Sequence, residues 1–209
     1  MFSVFRLQDY IKKIENMNSI QDYVREIRKE FFAFRNGIVA DKLRKAGDPH
    51  SVIMGCLLVD IQTITNQQCE EIADKAKLTA LGEELWSDTN SRECRLAAPM
   101  LYPAEEMTTE KALQWCQGVE TVEIADNLCH KLLRHTADAD TLFRQLIADE
   151  RPLVKYTGYR LMLNMLMLGK LQPTEQLQII VNNEAEQAQS PLSGLLKDIL
   201  EEFTDSPIR

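Results

Sequence analysis

One acid in this 209-residue chain is set where a carboxylate can do chemistry. Asp126 closes the run Val122-Glu123-Ile124-Ala125-Asp126, in which apolar residues flank the acid, and Glu120 and Glu123 lie within two turns upstream. An ionised carboxylate in apolar surroundings stabilises positive charge that develops during bond cleavage and can orient an attacking water. The pattern predicts a helix over 120–134. Asp126 is two positions from both Ile124 and Leu128, which puts it off the apolar stripe. A solvated surface acid or a capping group fits that placement as well, and both readings stand here. Arg92 and Arg95 form a second charged feature: they can line a groove, or pair with Glu93 and its neighbours.

The elements that must carry these residues read as helices. Tyr23, Ile27, Phe31 and Phe34 repeat at helical spacing behind Ser19, an N-cap candidate, and Asn36-Gly37 is a stop signal. Leu7–Asn16 carries Tyr10, Ile11 and Ile14 on one face. Asp48-Pro49 reads as an N-cap followed by proline at the first helical position. Further helices are predicted over 51–64, 67–79, 91–101, 108–117, 139–148, 153–169, 173–187 and 191–203. The segment from Leu153 to Gly169 is apolar nearly all round, so most of its sides must be covered. Helices of this size with short connections predict an all-α fold: a HEAT-like superhelix of about six antiparallel helix pairs, one helical-repeat domain over 1–209. A compact bundle is the alternative that periodicity leaves open.

Hydrophobic content of 44% and charged content of 27% are ordinary for a folded chain, which argues against wholesale disorder. The longest apolar run, Leu161–Leu168, is too short to span a bilayer, and the opening residues hold no stretch suited to a secretory signal. The expectation is therefore a cytoplasmic protein with no membrane contact. Cys56, Cys69, Cys94, Cys116 and Cys129 form no CxxC pair, and each reads as a buried thiol within a helix. His130 and His135 have no partners at ligand spacing, so neither metal nor cofactor is expected. Net charge is −8, which argues against nucleic acid, yet residues 1–50 hold ten Lys/Arg against seven Asp/Glu. A basic N-terminal portion remains compatible with DNA.

The series Leu85-Trp86-Ser87-Asp88, Ser91-Arg92-Glu93-Cys94-Arg95-Leu96-Ala97-Ala98, the Trp115 helix and Val122–Cys129, in this order and spacing, resembles the DNA alkylation repair glycosylases of the AlkD-like family. Ile53–Ile64 is similar to the segment ahead of that family's first repeats, so the likeness spans roughly residues 50–170. The resemblance implies HEAT-like repeats that grip duplex DNA and hydrolysis of the N-glycosidic bond of cationic N3- or N7-alkylated purines, with no metal or cofactor. It implies Asp126 as the catalytic carboxylate, matching the last acid of the family's W-D-x-x-D motif. Glu123 stands at the first acid and Val122 at the tryptophan. That exchange removes an aromatic face able to contribute on the order of 0.5–2 kcal/mol of cation–π stabilisation. Trp115 is expected in the core rather than in the tryptophan's place. Lys155 and Arg160 are the candidate phosphate contacts. The C-terminal segment 171–209 is acidic, with two Lys/Arg against seven Asp/Glu. It favours a second reading, a non-catalytic HEAT-like scaffold that binds a protein partner.

Overall fold

A computed structural model describes residues 19–205, and the helix expected over Leu7–Asn16 lies outside them. The described residues form eleven α-helices and two short 3-10 helices, with one isolated bridge, Val52 to Ser91, as their only β pairing. The fold is all-α. No helix among these residues is long and apolar enough to cross a membrane. The chain divides into two compact units, 1–102 and 103–209.

The first unit contains α1 (Ile20–Ala33), α2 (Gly37–Lys45), α3 (Leu58–Glu71), α4 (Lys75–Ser87) and α5 (Arg92–Leu101). Ser19 and Asp22 close a capping box at the start of α1, satisfying amide donors that the helix leaves unpaired. Tyr23, Val24, Ile27 and Phe31 are buried, and α1 packs on α3 and α4. Asn36 does more than end a helix: its side chain accepts from the amides of Ile38 and Val39 and starts α2.

Residues 48–57 depart from the expected helix. The Asp48 carboxylate accepts from the His50 amide at 3.1 Å and lies 2.6 Å from His50 Nδ1, so it closes a turn and caps no helix. The segment that follows is an extended strap, and α3 begins only at Leu58. Glu93 holds the strap in place. Its Oε2 accepts from the Met54 amide at 3.1 Å, and its Oε1 from the Gly55 amide at 2.9 Å. Arg92 Nη1 donates to Glu93 Oε1 at 3.0 Å and to the Cys56 carbonyl at 3.2 Å. Gly55 has φ +77, and a Cβ there would lie 2.6 Å from the Ala40 amide nitrogen, so only glycine passes. These long-range bonds supply the backbone partners that a helix would have supplied internally. The expected helix over 67–79 is broken for a related reason: α3 runs to Glu71, and Asp74 caps α4.

The second unit contains the 3-10 helix Ala104–Glu106, α6 (Thr109–Gln117), α7 (Val122–Lys131), the 3-10 helix Leu133–His135, α8 (Ala139–Ile147), α9 (Pro152–Met167), α10 (Glu175–Ala185) and α11 (Leu192–Asp205). Proline at the first position of α9 gives up an amide that had no helical partner. The all-round apolar surface of α9 is covered by α6, α7, α8 and α11. Its Gly158 allows α8 to approach closely, because a Cβ there would meet the Ile147 amide nitrogen at 2.8 Å.

All five cysteines are free thiols. Cys56, Cys94, Cys116 and Cys129 are buried as expected, whereas Cys69 is exposed and Cys56 lies on the strap instead of a helix.

Glu93→Ala should destabilise the protein by about 3–5 kcal/mol in urea unfolding, because it leaves the buried Arg92 guanidinium without its carboxylate. A loss below about 1 kcal/mol would show that Glu93 does not hold the strap.

Candidate functional site

The candidate site lies within the second unit, on the contact between α7 and α9. Thr121 starts α7 by accepting from the Ile124 amide at 3.2 Å. Ile124, Ala125, Leu128 and Cys129 are buried, and this stripe seats the helix. Asp126 sits at the edge of the stripe, with 35% of its side chain exposed. From α9, Tyr156 and Arg160, one helical turn apart, converge on it. The Tyr156 hydroxyl donates to Asp126 Oδ1 at 2.9 Å. Arg160 Nε lies 3.1 Å from the same oxygen, an ion pair without the alignment of a hydrogen bond. Asp126 Oδ2 receives no donor from the described residues. The carboxylate is thus anchored through one oxygen while the other stays open.

Burial raises the Asp126 carboxyl above its ordinary range, and Glu123 adds a smaller push in the same direction. The Arg160 guanidinium and the Tyr156 hydroxyl pull it back toward ionisation. Burial, followed by the Asp126 charge, raises the Tyr156 phenol, so it remains the proton donor of the pair.

Lys155 stands elsewhere in its surroundings. Its Nζ is 3.1 and 3.2 Å from the two Glu184 oxygens, beside an open cavity lined by Arg144, Tyr159 and Ile180. To reach a phosphate it would have to leave that carboxylate. Val122 is half-buried in the first turn of α7, and Trp115 is buried on α6. Neither Arg92 nor Arg95 lines a groove: both are buried in the first unit, and Arg95 stacks 3.6 Å above the Trp86 ring and donates to the Trp86 carbonyl. No group of three or more His, Cys, Asp or Glu that could hold a metal occurs among the described residues.

Sequence reasoning singled out Asp126, and Arg160 only as a phosphate contact, and gave Tyr156 no role; the structure brings the three together. The signal was available, since Tyr156 and Arg160 are four residues apart on one face of a mostly apolar helix.

The fold and this arrangement define a helical protein with a half-buried carboxylate, Asp126, anchored through one oxygen. The model of a family described as DNA alkylation repair enzyme matches residues 27–189, and the chain belongs to that family. No curated protein and no solved structure gives a match.

The raised pKa has a consequence for stability. The folded-state pKa of Asp126 lies above the unfolded value, so ionisation works against folding. The cost is absent below the unfolded pKa and grows as pH rises through the folded one. Asp126→Asn should therefore be at least as stable as the natural protein at pH 7, with that margin shrinking toward acid pH in parallel urea titrations. A loss above about 2 kcal/mol at pH 7 would instead make Asp126 a structural partner of Arg160.

Proposed function

We propose that this protein is a DNA glycosylase that hydrolyses the N-glycosidic bond of cationic N3- or N7-alkylated purines in duplex DNA. The observation that carries the reading is the Asp126 carboxylate, fixed through Oδ1 by Tyr156 and Arg160 with Oδ2 open. Family membership supports a role in DNA alkylation repair, and the cationic alkylpurine is what the sequence resemblance to the AlkD-like glycosylases implies. As the bond breaks, positive charge builds on the sugar, and a carboxylate held in place stabilises it without reorganising. The open Oδ2 accepts a proton from the attacking water as the new C–O bond forms. A purine already carrying positive charge leaves as a neutral base, so no acid is required on the leaving side.

In this reading Arg160 has two tasks. It keeps Asp126 ionised, and its Nη groups, which have no acceptor among the described residues, are available to a phosphate. Lys155 is a second phosphate contact once it leaves Glu184. The phenol of Tyr156 stands close to the carboxylate, where the valine at 122 offers no aromatic face.

A second reading, a scaffold that binds a protein partner, is favoured by a different observation. Phe32, Ile38 and Val59 of the first unit are 57%, 72% and 66% exposed, apolar surface that a partner would cover.

Base release from duplex DNA carrying N7-methylguanine separates the two. Asp126→Asn should lower the single-turnover rate by about 100-fold or more, the scale seen when a positioned electrostatic group is removed. Tyr156→Phe should cost less, about 10-fold, because it loosens the carboxylate without removing it. No release by the folded natural protein at low salt would remove the enzymatic reading and leave the scaffold.

A further inference from the structure

The C-terminal end of α7 gathers positive charge in a protein whose net charge is −8. His130 and Lys131 close α7, one turn past Asp126, and Arg134 and His135 follow on the 3-10 helix Leu133–His135, so four cationic or titratable side chains lie in a row along six residues of chain. Lys170, just past α9, donates from Nζ to the Arg134 carbonyl at 2.7 Å, which brings a fifth cationic or titratable side chain to the same place. Arg160 acts electrostatically on both Asp126 and His130, so the row is continuous with the candidate site.

Two features mark this cluster. Several cations elsewhere are neutralised locally: Arg25 by Asp22, Arg28 by Asp88, Lys29 by Glu26, Arg144 by Asp140 and Arg151 by Asp149. Lys131, Arg134 and Lys170 have no carboxylate within ion-pair distance among the described residues. They are also accessible, since His130, His135 and Lys170 are exposed and Lys131 and Arg134 half-buried. Like charges held together without counter-ions cost energy that an arriving anion recovers.

We propose that His130, Lys131, Arg134, His135 and Lys170 form a phosphodiester-binding surface that holds the backbone of duplex DNA alongside Asp126. This rests on the DNA-directed reading above and adds a contact surface that the recognition of Asp126, Lys155 and Arg160 did not include. Arg134 Nε donates to His135 Nε2 at 3.1 Å, so His135 holds its proton on Nδ1 when neutral. Partial burial and the neighbouring cations depress both histidines: Arg134, Lys131, Arg160 and His135 act on His130, and Arg134 and Lys170 on His135. The elements packed on the 3-10 helix bring Glu105 and Glu106 from the helix Ala104–Glu106, and Asp140 and Arg144, paired with each other, from α8. Both rings are thus neutral at pH 7 and gain charge as pH falls; His135 then gives up its bond from Arg134, which frees both side chains for phosphate.

The test is equilibrium binding of an undamaged duplex as a function of salt, by fluorescence anisotropy. Each phosphate neutralised contributes about 0.9 to the slope of log K against log salt. Lys131→Gln/Arg134→Gln should make the slope shallower by about two with helicity unchanged, while Lys42→Gln/Lys45→Gln on α2 should leave it as in the natural protein. His130→Gln/His135→Gln should abolish the strengthening between pH 7.5 and 5.5. An unchanged slope in the Lys131/Arg134 variant overturns the proposal, and base release would then stand without it. A reduced slope without base release supports the surface and removes only the enzymatic reading. Failure of the natural protein to bind any duplex at low salt overturns both.

Discussion

The second unit depends on covering α9. A helix with Val154, Tyr156, Tyr159, Leu161, Met162, Leu163, Met165 and Leu166 all buried must be covered on most of its sides, and each of the aliphatic and methionine side chains is worth roughly 1.5–3 kcal/mol of burial. Four helices close around it, and α7 is one of them. The register of α7 against α9 then follows from packing Ile124, Ala125, Leu128 and Cys129, since a shift of one residue would expose that stripe. Asp126 meets Tyr156 and Arg160 because that register is fixed. The polar contact is a consequence of apolar packing, and this gives the carboxylate a defined orientation.

The polar contact is also balanced. Burial alone would drive Asp126 toward its protonated form, and a neutral acid can neither stabilise a developing cation nor accept a proton from water. Arg160 and Tyr156 offset part of that cost through the same oxygen. What remains is a raised but ionisable carboxyl, the usual state of an acid placed for electrostatic work. Partial exposure keeps the ion pair with Arg160 modest in energy, so the guanidinium can turn toward a phosphate without loss of the fold.

Helix existence was legible in the sequence wherever local signals governed. The Ser19 cap, the α5 span and the burial of α9 on most of its sides follow from periodicity and capping chemistry. The strap at 52–57 was not legible. Its backbone partners are Glu93, Arg44 and Asn36, distant in sequence, and no local pattern announces them. The Asp48-Pro49 pair illustrates the same limit, since an aspartate before proline serves a turn as readily as a helix start. At the candidate site the acid stood out because of its apolar neighbours. Tyr156 did not, because a tyrosine in an apolar helix looks like core until its hydroxyl has a partner. The basic row from His130 to Lys170 was hidden by the acidic average of the chain, and it emerges only when residues 130–135 and 170 meet in space.

The central claim is that Asp126 is a half-buried, ionised carboxylate whose state is set by Tyr156 and Arg160. A carboxyl-detected NMR titration of Asp126 in the folded protein tests it most directly. The account expects a midpoint above the ordinary aspartate value of about 3.9. It expects a further rise in Tyr156→Phe and in Arg160→Gln, since each removes a group that favours the charged form. An ordinary midpoint, unmoved by either substitution, would show a solvated surface acid and contradict the account.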